Sequence, residues 1–316
     1  MGEPLLHGRT LSVDRGRVGI SYSGAGPLVL VELGVAQAFV ELGIRPDAIA
    51  GVSAGAITGV AHAIDPVGGA GIEAAAKGLA TISNRALGLT APRVLWRALR
   101  ERTHLMGLGS NEAIQGLVAG AFRALAGTEH LTIDYFGTAG RPMLILGATD
   151  RLTGESLRFP GEADVADALV ASSAIPGVFE PKRLTVGGVP RLLIDGGIVQ
   201  NQPLSVLALE GCGTLYACAV GYDGEALKAP TNLLDNAMKA FAIAMHTASH
   251  LEEDYVRLQM AGAGVIHHIH PPVQELPVPG FDFTPEVIAQ VMRDARELTK
   301  RWITEHQLWP GANTDA

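Results

Sequence analysis

The chain has 316 residues, of which 47% are hydrophobic and 18% are charged, and its formal net charge is −8. This composition is too apolar for a disordered protein, and the length suits two domains or one large domain. Because the negative charge repels phosphate backbones and no long basic stripe is present, we expect no nucleic-acid partner.

The first ten residues do not resemble a targeting segment. They lack the apolar stretch of a signal peptide, and Leu6 does not fit a myristoylation signal. The longest nearly apolar run, residues 26–43, contains Glu32 and Glu41 and therefore does not predict a membrane-spanning helix. We expect a cytoplasmic protein without a signal peptide or transmembrane segment.

Short apolar runs alternate with helical patterns along the chain. Residues 17–23 and 48–50 predict strands, and residues 29–42 and 56–64 predict the helices that follow them. Unbroken apolar runs typical of buried parallel strands occur at residues 142–148, 192–194 and 214–220. Two late helices are predicted at residues 232–261 and 284–309, the second with Thr284 as N-cap and Pro285 at its first position. The pattern indicates an α/β fold with a covered sheet.

Residues 51–55 read Gly-Val-Ser-Ala-Gly and match the G-x-S-x-G motif between a predicted strand and a predicted helix. In this motif a sharp turn aims the serine hydroxyl outward, and Gly51 and Gly55 let strand and helix approach closely. An ordinary glycine-rich turn would have the same sequence. Ser53 is therefore a candidate nucleophile that other segments must support.

The first supporting segment is residues 23–26, Ser-Gly-Ala-Gly, which also lies between a strand and a helix. A dinucleotide-binding motif would need glycine where Val29 stands, so we predict no nucleotide cofactor. An oxyanion hole needs only backbone N–H groups near the serine. Gly24, Ala25 and Gly26 are the candidate donors.

The second supporting segment is Asp195-Gly196-Gly197, at the end of an apolar run. An aspartate is ionised at neutral pH and can accept the serine proton if it lies close enough. An aspartate that only stabilises a glycine turn is the alternative. Ser53 and Asp195 could form a dyad that needs no histidine.

Four segments, in the same order, resemble the patatin-like phospholipases: residues 23–26, 51–55, 171–181 and 195–203. The resemblance covers residues 17–203. It implies a single three-layer α/β domain with a mostly parallel central sheet, and hydrolysis of lipid esters through an acyl-enzyme on Ser53 with Asp195 as base. It also implies oxyanion donors at Gly24, Ala25 and Gly26, support from Gly196 and Gly197, and no metal or cofactor.

One part of the sequence departs from the family pattern. After the glycine loop the family usually has a small residue, a cation and a glycine, whereas this chain has Pro27, Leu28 and Val29. The change removes a charge and a backbone donor, which affects the expected oxyanion geometry and phospholipid preference. A short-chain carboxylesterase, an acyltransferase and a non-catalytic lipid-binding protein stay open as alternatives.

The resemblance suggests a division of the chain. We expect an N-terminal segment at residues 1–16, a catalytic domain at 17–226 with a helical insertion at 68–127 that could form a lid, and a C-terminal helical region at 227–316 on the same domain. The oligomeric state is left open by the sequence.

Residues 85–104 are locally basic in an acidic protein. At helical spacing Arg93, Arg97 and Arg100 share one face, opposite an apolar face that contains Val94, Leu95, Ala98 and Leu99. Such a helix could contact an anionic membrane. The alternative is a surface helix that packs its apolar face on the core.

Histidine and cysteine patterns do not predict a metal site. His246 and His250 have a helical spacing that could bind zinc, but no third ligand is evident, and a solvated helix face is the better interpretation. We interpret His267, His268 and His270 as a strand end or polar loop. Cys212 and Cys218 are too few for a disulfide framework and predict buried, reduced thiols.

Overall fold

The structure is a computed structural model that describes residues 11–101, 106–225, 229–231, 233–270 and 283–310. Most of the predicted N-terminal segment, the last part of the basic stretch and the predicted helix start at residue 232 lie outside the described residues.

The strands of the described part of the chain are β1 (Asp14–Tyr22), β2 (Ala48–Gly51), β3 (Gly107–Gly109), β4 (Met143–Asp150), β5 (Ser156–Arg158), β6 (Gly177–Phe179), β7 (Lys182–Val186), β8 (Val189–Ile194), β9 (Cys212–Cys218) and β10 (Val265–Ile269). An 8-stranded sheet has the order β10-β9-β1-β2-β4-β8-β7, with β5 paired to β4. A separate 2-stranded sheet joins β3 and β6.

The helices of the same ranges are α1 (Val29–Leu42), α2 (Ala54–Ile64), α3 (Ala70–Leu79), α4 (Ala91–Glu101), α5 (Ala113–Ala126), α6 (Val165–Ser172), α7 (Leu204–Leu209), α8 (Leu233–Met260) and α9 (Pro285–Glu305). α1 has the bounds that the sequence predicts. The Thr284 hydroxyl caps α9 by accepting the Val287 N–H at 3.4 Å, as predicted, but the helix ends at Glu305 rather than at residue 309.

Five neighbouring strands, β10, β9, β1, β2 and β4, are parallel. Tyr22, the last residue of β1, lies opposite Gly51 of β2 and opposite Cys218 of β9. Their carboxyl ends therefore meet at one edge of the sheet, which is where open α/β sheets bind their ligands. The segments that follow Tyr22 and Gly51 are the two glycine-rich motifs of the sequence.

Strand β8 runs in the direction opposite to the one that the sequence predicts. β8 is antiparallel to both β4 and β7, so the prediction of a parallel strand at residues 192–194 is wrong. Gly187 and Gly188, with φ of 56° and 77°, form the two-residue turn of a β7–β8 hairpin. An apolar run indicates burial but carries no information on strand direction.

The core lies on both faces of the sheet. In β2, Ile49 points into a cluster with Leu30 of α1 and Val291 of α9, whereas Ala48 points into a second cluster with Leu204 of α7. Helices therefore cover both faces, and the three-layer α/β architecture is confirmed.

Two further sequence predictions concern thiols and membrane spans. Cys212 and Cys218 are free and buried, as expected. Within the described ranges, none of the helices combines the length and the apolar character that a membrane crossing requires.

Candidate active site

Ser53 lies at the turn between β2 and α2 and has a strained backbone. Its φ of 55° and ψ of −124° are rare for a residue with a side chain. A Cβ at Gly55 would lie 2.2 Å from the Tyr22 carbonyl oxygen, and one at Gly51 would lie 2.2 Å from the Gly55 carbonyl oxygen. Glycine at both positions therefore lets the turn pack directly on the end of β1.

The peptide group of Ser53 is held by a distant residue. The Ser53 N–H donates to the Ser172 hydroxyl at 2.9 Å, in a buried hydrogen bond across 119 positions of sequence. Ser172 is the last residue of α6, so this helix fixes the turn from outside the local motif. No local sequence motif predicts this hydrogen bond between Ser172 and Ser53.

Asp195 is fully buried and follows β8 directly. Its N–H donates to the Ala174 carbonyl at 3.0 Å, and its Oδ1 accepts the Gly197 N–H at 2.8 Å. A Cβ at Gly196 would come within 2.8 Å of Val52 Cγ1, so the turn after Asp195 packs against the residue before Ser53. β2 and β8 thereby bring the serine and the aspartate together.

Burial raises the pKa of Asp195 to about 6, against the opposing effects of the Ser53 side chain and the Gly197 N–H. The contact with Ser53 is loose, because Asp195 Oδ2 has no well-formed hydrogen bond with any described residue. Hydrogen bonds between catalytic side chains are often long without substrate and shorten only when a substrate binds.

The 23–26 loop lies beside Ser53 and is fixed by Asn201. The Gly24 N–H donates to Asn201 Oδ1 at 3.0 Å and approaches the Asn201 carbonyl at 3.3 Å. A Cβ at Gly24 would lie 2.7 Å from that Oδ1 and 3.1 Å from Ser53 Cβ. Within the described part of the chain, the N–H groups of Ala25 and Gly26 make no hydrogen bond.

The departure from the family pattern at residues 27–29 is compatible with this loop. Pro27 lies in a 3-10 turn that links the loop to α1, at a position where a missing N–H is tolerated. Val29 has a φ of −47° and begins the helix, so it needs no left-handed backbone. Leu28 contributes an apolar side chain to the cavity beside Ser53, where the family has a cation.

A cavity of about 870 Å³ opens in front of Ser53. The 23–26 loop, the segment after β9 and one side of α8 form its walls. Its larger apolar side chains are Leu28, Ile175, Val220, Met238, Phe241 and Met245. A mainly apolar cavity with a few polar groups at one point is the usual form of a small-molecule site.

His246 and His250 line this same cavity, which the sequence did not predict. Their rings lie 4.4 Å apart between centroids, and Tyr222 packs on His246 at 5.1 Å. His250 is exposed, as expected for a solvated face, but His246 is half-buried, and burial lowers its pKa. No group of three metal-ligating side chains occurs among the described residues.

Of the later histidines, His267 and His268 lie at the end of β10, one of the two predicted settings, and His270 follows the strand. His267 is buried in this strand, and burial lowers its pKa to about 4. His268 faces outward and contacts Glu253 of α8 at 2.9 Å.

Helix α4 exposes apolar side chains. Leu95, Trp96 and Leu99 are 62%, 57% and 67% exposed, so the alternative in which Leu95 and Leu99 pack on the core is wrong. Arg97 instead turns inward, forms an ion pair with Glu180 and has a side chain only 17% exposed. The predicted face of three equivalent arginines is therefore not formed.

The sequence comparison decides the family. A family model described as patatin-like phospholipase matches residues 20–208, a range that contains the Ser53 turn, Asp195 and Asn201. The chain belongs to the patatin-like phospholipase family. This confirms the resemblance and the fold class that it implies.

Curated relatives of the chain include uncharacterized members of the NTE family. An uncharacterized protein of Mycobacterium tuberculosis is 33% identical over 209 residues, which cover 66% of this chain and 49% of that protein. Another, from Mycobacterium bovis, is 29% identical over 198 residues, which cover 62% of this chain and 29% of that protein. The match thus spans less than half the length of these relatives.

Two solved structures are similar to this chain at low sequence identity. VipD from Legionella pneumophila has a TM-score of 0.47 at 16% identity, over 97% of this chain and 72% of that one. Human GIVD cytosolic phospholipase A2 has a TM-score of 0.47 at 11% identity, over 98% of this chain and 63% of that one.

Proposed function

We propose that this patatin-family chain is a serine acyl hydrolase of lipid esters, with Ser53 as nucleophile and Asp195 as its base. One observation carries the proposal: Ser53 faces a mainly apolar cavity from a strained turn, with the buried carboxyl group of Asp195 beside it. Strain at a cavity-facing residue is common at catalytic positions.

The chemistry follows from these positions. Ser53 Oγ attacks the ester carbonyl carbon while Asp195 accepts its proton, and the tetrahedral intermediate then expels the alcohol, which takes the proton back. Water attacks the acyl-Ser53 ester, Asp195 accepts a proton from it, and that proton returns to Ser53 as the fatty acid leaves. No further reactant is required.

The oxyanion of each tetrahedral intermediate needs hydrogen-bond donors. Of the three predicted donors, the Gly24 N–H is engaged by Asn201, so the N–H groups of Ala25 and Gly26 are the ones available. The N-terminus of α2 adds a partial positive charge at Ser53. Each donor of this type typically contributes about 3 to 4 kcal/mol to transition-state stabilisation.

The cavity favours an acyl chain over a small polar substrate. Leu28, Phe241 and Met245 surround the position in front of Ser53 with apolar surface, and its volume of about 870 Å³ lies toward the large end of typical ligand sites. We therefore place lipid esters ahead of short-chain esters.

We further propose that α4 contacts an anionic membrane. Arg93 and Arg100 are exposed beside Leu95, Trp96 and Leu99, and Arg100 stacks on Trp96 at 5.0 Å, whereas Val94 and Arg97 face the protein. Apolar and basic side chains on one exposed side are typical of helices that lie in a membrane interface. Peripheral membrane contact of a cytoplasmic protein is part of this proposal.

Hydrolysis of a chromogenic ester series, from acetyl to palmitoyl, tests the proposal. We expect turnover that increases toward longer chains and falls at least about a thousandfold in Ser53→Ala and Asp195→Asn, because each variant removes a reacting group. Ser83→Ala, away from the cavity, is the matched control.

The outcome separates the alternatives. A short-chain optimum would favour a carboxylesterase, and turnover only with an added alcohol would favour an acyltransferase. Parent-like turnover in Ser53→Ala would overturn the dyad, and lipid binding without any turnover would favour a non-catalytic lipid-binding protein.

A further inference from the structure

Glu32 is a buried acidic residue that the mechanism above does not use. It lies in the apolar first half of α1 with no exposed surface. Its Oε2 accepts a hydrogen bond from the Thr58 hydroxyl at 3.3 Å, and its Oε1 has no partner among the described residues. A polar group buried with one oxygen unsatisfied lowers stability, so its presence calls for an explanation.

The surroundings of Glu32 keep it uncharged. Burial raises its pKa well above the usual value, and Tyr22 and Cys218, the titratable groups beside it, also have raised pKa values and are neutral. His62 of α2 is buried, and burial lowers its pKa to about 3, so it supplies no positive charge.

Cationic side chains of the neighbouring α9 form ion pairs with a residue other than Glu32. Arg296 and Lys300 bind Glu41 at the other end of α1, at 3.1 and 2.9 Å. Within the described ranges, Glu32 forms no ion pair. It is therefore a neutral carboxylic acid that can both donate and accept hydrogen bonds.

Glu32 contacts two parts of the candidate active site at once. Thr58 lies in the first half of α2, the helix that begins directly after Ser53. On the other side, the Ser23 hydroxyl and N–H lie close enough to the Glu32 carboxyl group to oppose the rise in its pKa, but neither forms a hydrogen bond of normal geometry with it. Ser23 is the first residue of the 23–26 loop.

The Ser23 peptide is also where the loop meets α2. A Cβ at Gly55 would lie 2.6 Å from the Ser23 carbonyl oxygen, so α2 and the start of the loop are in direct backbone contact. The Ser23 N–H donates to the Cys218 carbonyl at 3.2 Å, which ties the same peptide to β9. A small shift at Ser23 would therefore move the N–H groups of Ala25 and Gly26 relative to Ser53.

We propose that Glu32 is a positioning residue whose carboxyl group fixes the 23–26 loop relative to the helix that follows Ser53. This inference rests on the proposed function, because the loop is the proposed oxyanion hole. Glu32 does not touch the substrate and acts through Ser23 and Thr58. The carboxyl group joins the oxyanion donors and the nucleophile into one rigid unit.

Kinetics of two Glu32 variants test the proposal. Glu32→Leu keeps the size of the side chain but removes its hydrogen bonds, and we expect kcat to fall between about tenfold and a hundredfold with KM changed less than about threefold. Glu32→Gln keeps a neutral group of the same shape, and we expect kcat within about threefold of the parent value.

The pH profile supplies a readout that a merely structural residue would not affect. Because the neutral acid is the proposed functional form, any loss of kcat at alkaline pH relative to pH 7 should be larger in the parent than in Glu32→Gln, in which Tyr22 and Cys218 are still present. A Glu32→Leu variant that folds and retains parent kcat would overturn the proposal.

Thr58→Val removes the second contact, and we expect a smaller fall in kcat, between about twofold and tenfold. Its matched control is Thr299→Val, a buried threonine on α9 whose hydroxyl bonds only to its own helix at the Ala295 carbonyl, 2.8 Å away. This control should keep parent kcat. Equal losses in the two threonine variants would overturn the assignment.

Amide hydrogen exchange of residues 23–28 separates this proposal from the proposed function, because it requires no turnover. Faster exchange in Glu32→Leu but not in Glu32→Gln would support the positioning role even if the parent hydrolyses no ester. Unchanged exchange in Glu32→Leu would overturn it, whatever the parent's activity. Absence of Ser53-dependent turnover in the parent alone would count only against the proposed function.

Discussion

Asp195 differs from an ordinary aspartate because it is buried and, among the described residues, forms no ion pair. Its pKa of about 6 makes it a stronger base than an exposed carboxylate, yet it is still ionised at neutral pH. In the proposed mechanism, a histidine is therefore not required to accept the Ser53 proton. Contacts with the Ser53 side chain and the Gly197 N–H oppose the effect of burial and keep the pKa of Asp195 from rising further.

This pKa predicts the acid limb of the activity. Only ionised Asp195 can act as base, so kcat/KM for ester hydrolysis should fall about tenfold per pH unit below about pH 6 and level off above it. The measurement is kcat/KM from pH 4.5 to 8, with folding checked by circular dichroism at each pH. A profile that stays flat to pH 4.5 would exclude Asp195 as the base.

At the scale of residues, the sequence predicts those that belong to local motifs. Gly51, Ser53 and Gly55 lie within five positions, and Asp195 is followed by two glycines, so each leaves a short signature. The contribution of Asn201 is different, because its hydrogen bond to Gly24 spans 177 positions and depends on packing that no local pattern encodes.

Glu32 shows the same limit. In the sequence it only interrupts an apolar run, which argues against a membrane span. Its hydrogen bond with Thr58 comes from the packing of α1 against α2, and it could not be inferred from the residues around Glu32.

At the scale of elements, strand position was more predictable than strand direction. The apolar runs locate β4, β8 and β9, but burial is the same for parallel and antiparallel strands, so these runs do not show that β8 is antiparallel. Gly187-Gly188 between two runs was the available hairpin signal. β3 and β6 have three residues each and leave no periodicity to detect.

The exposed apolar side chains of helix α4 are expected to bind membranes. Changing Leu95, Trp96 and Leu99 together to Ser should weaken sedimentation with anionic vesicles at least about tenfold, because the variant loses apolar surface that would enter the interface. Leu152→Ser, which alters a leucine 75% exposed in the β4–β5 turn, is the control.

Charge supplies a second arm of the vesicle experiment. Arg93→Glu with Arg100→Glu should weaken binding to phosphatidylglycerol vesicles more than binding to phosphatidylcholine vesicles. Each lost arginine charge accounts for about 1 kcal/mol of binding free energy to the anionic surface, and the added glutamate charges weaken this binding further. Arg97 is left unchanged because it pairs with Glu180. Equal vesicle binding by the parent, the triple serine variant and the leucine control would rule out α4 as a membrane contact.

At the scale of the molecule, the α/β class was predictable because strands and helices alternate along the chain. The cavity was not, because its wall combines the segments after β1 and β9 with α8, which lie far apart in sequence. β10 and α9 also pack on β9 and α1, so residues beyond the family match contribute to the same core.

In the proposed reaction, Ser53 forms a covalent acyl intermediate with the help of Asp195. The most direct measurement is the mass of the protein and its peptides after brief exposure to a long-chain p-nitrophenyl ester and acid quenching. We predict one acyl group on the peptide that contains Ser53, none in Ser53→Ala, and strongly reduced labelling in Asp195→Asn at pH 7. Acylation of a different residue would exclude Ser53 as the nucleophile, and unchanged labelling of Ser53 in Asp195→Asn would exclude Asp195 as its base.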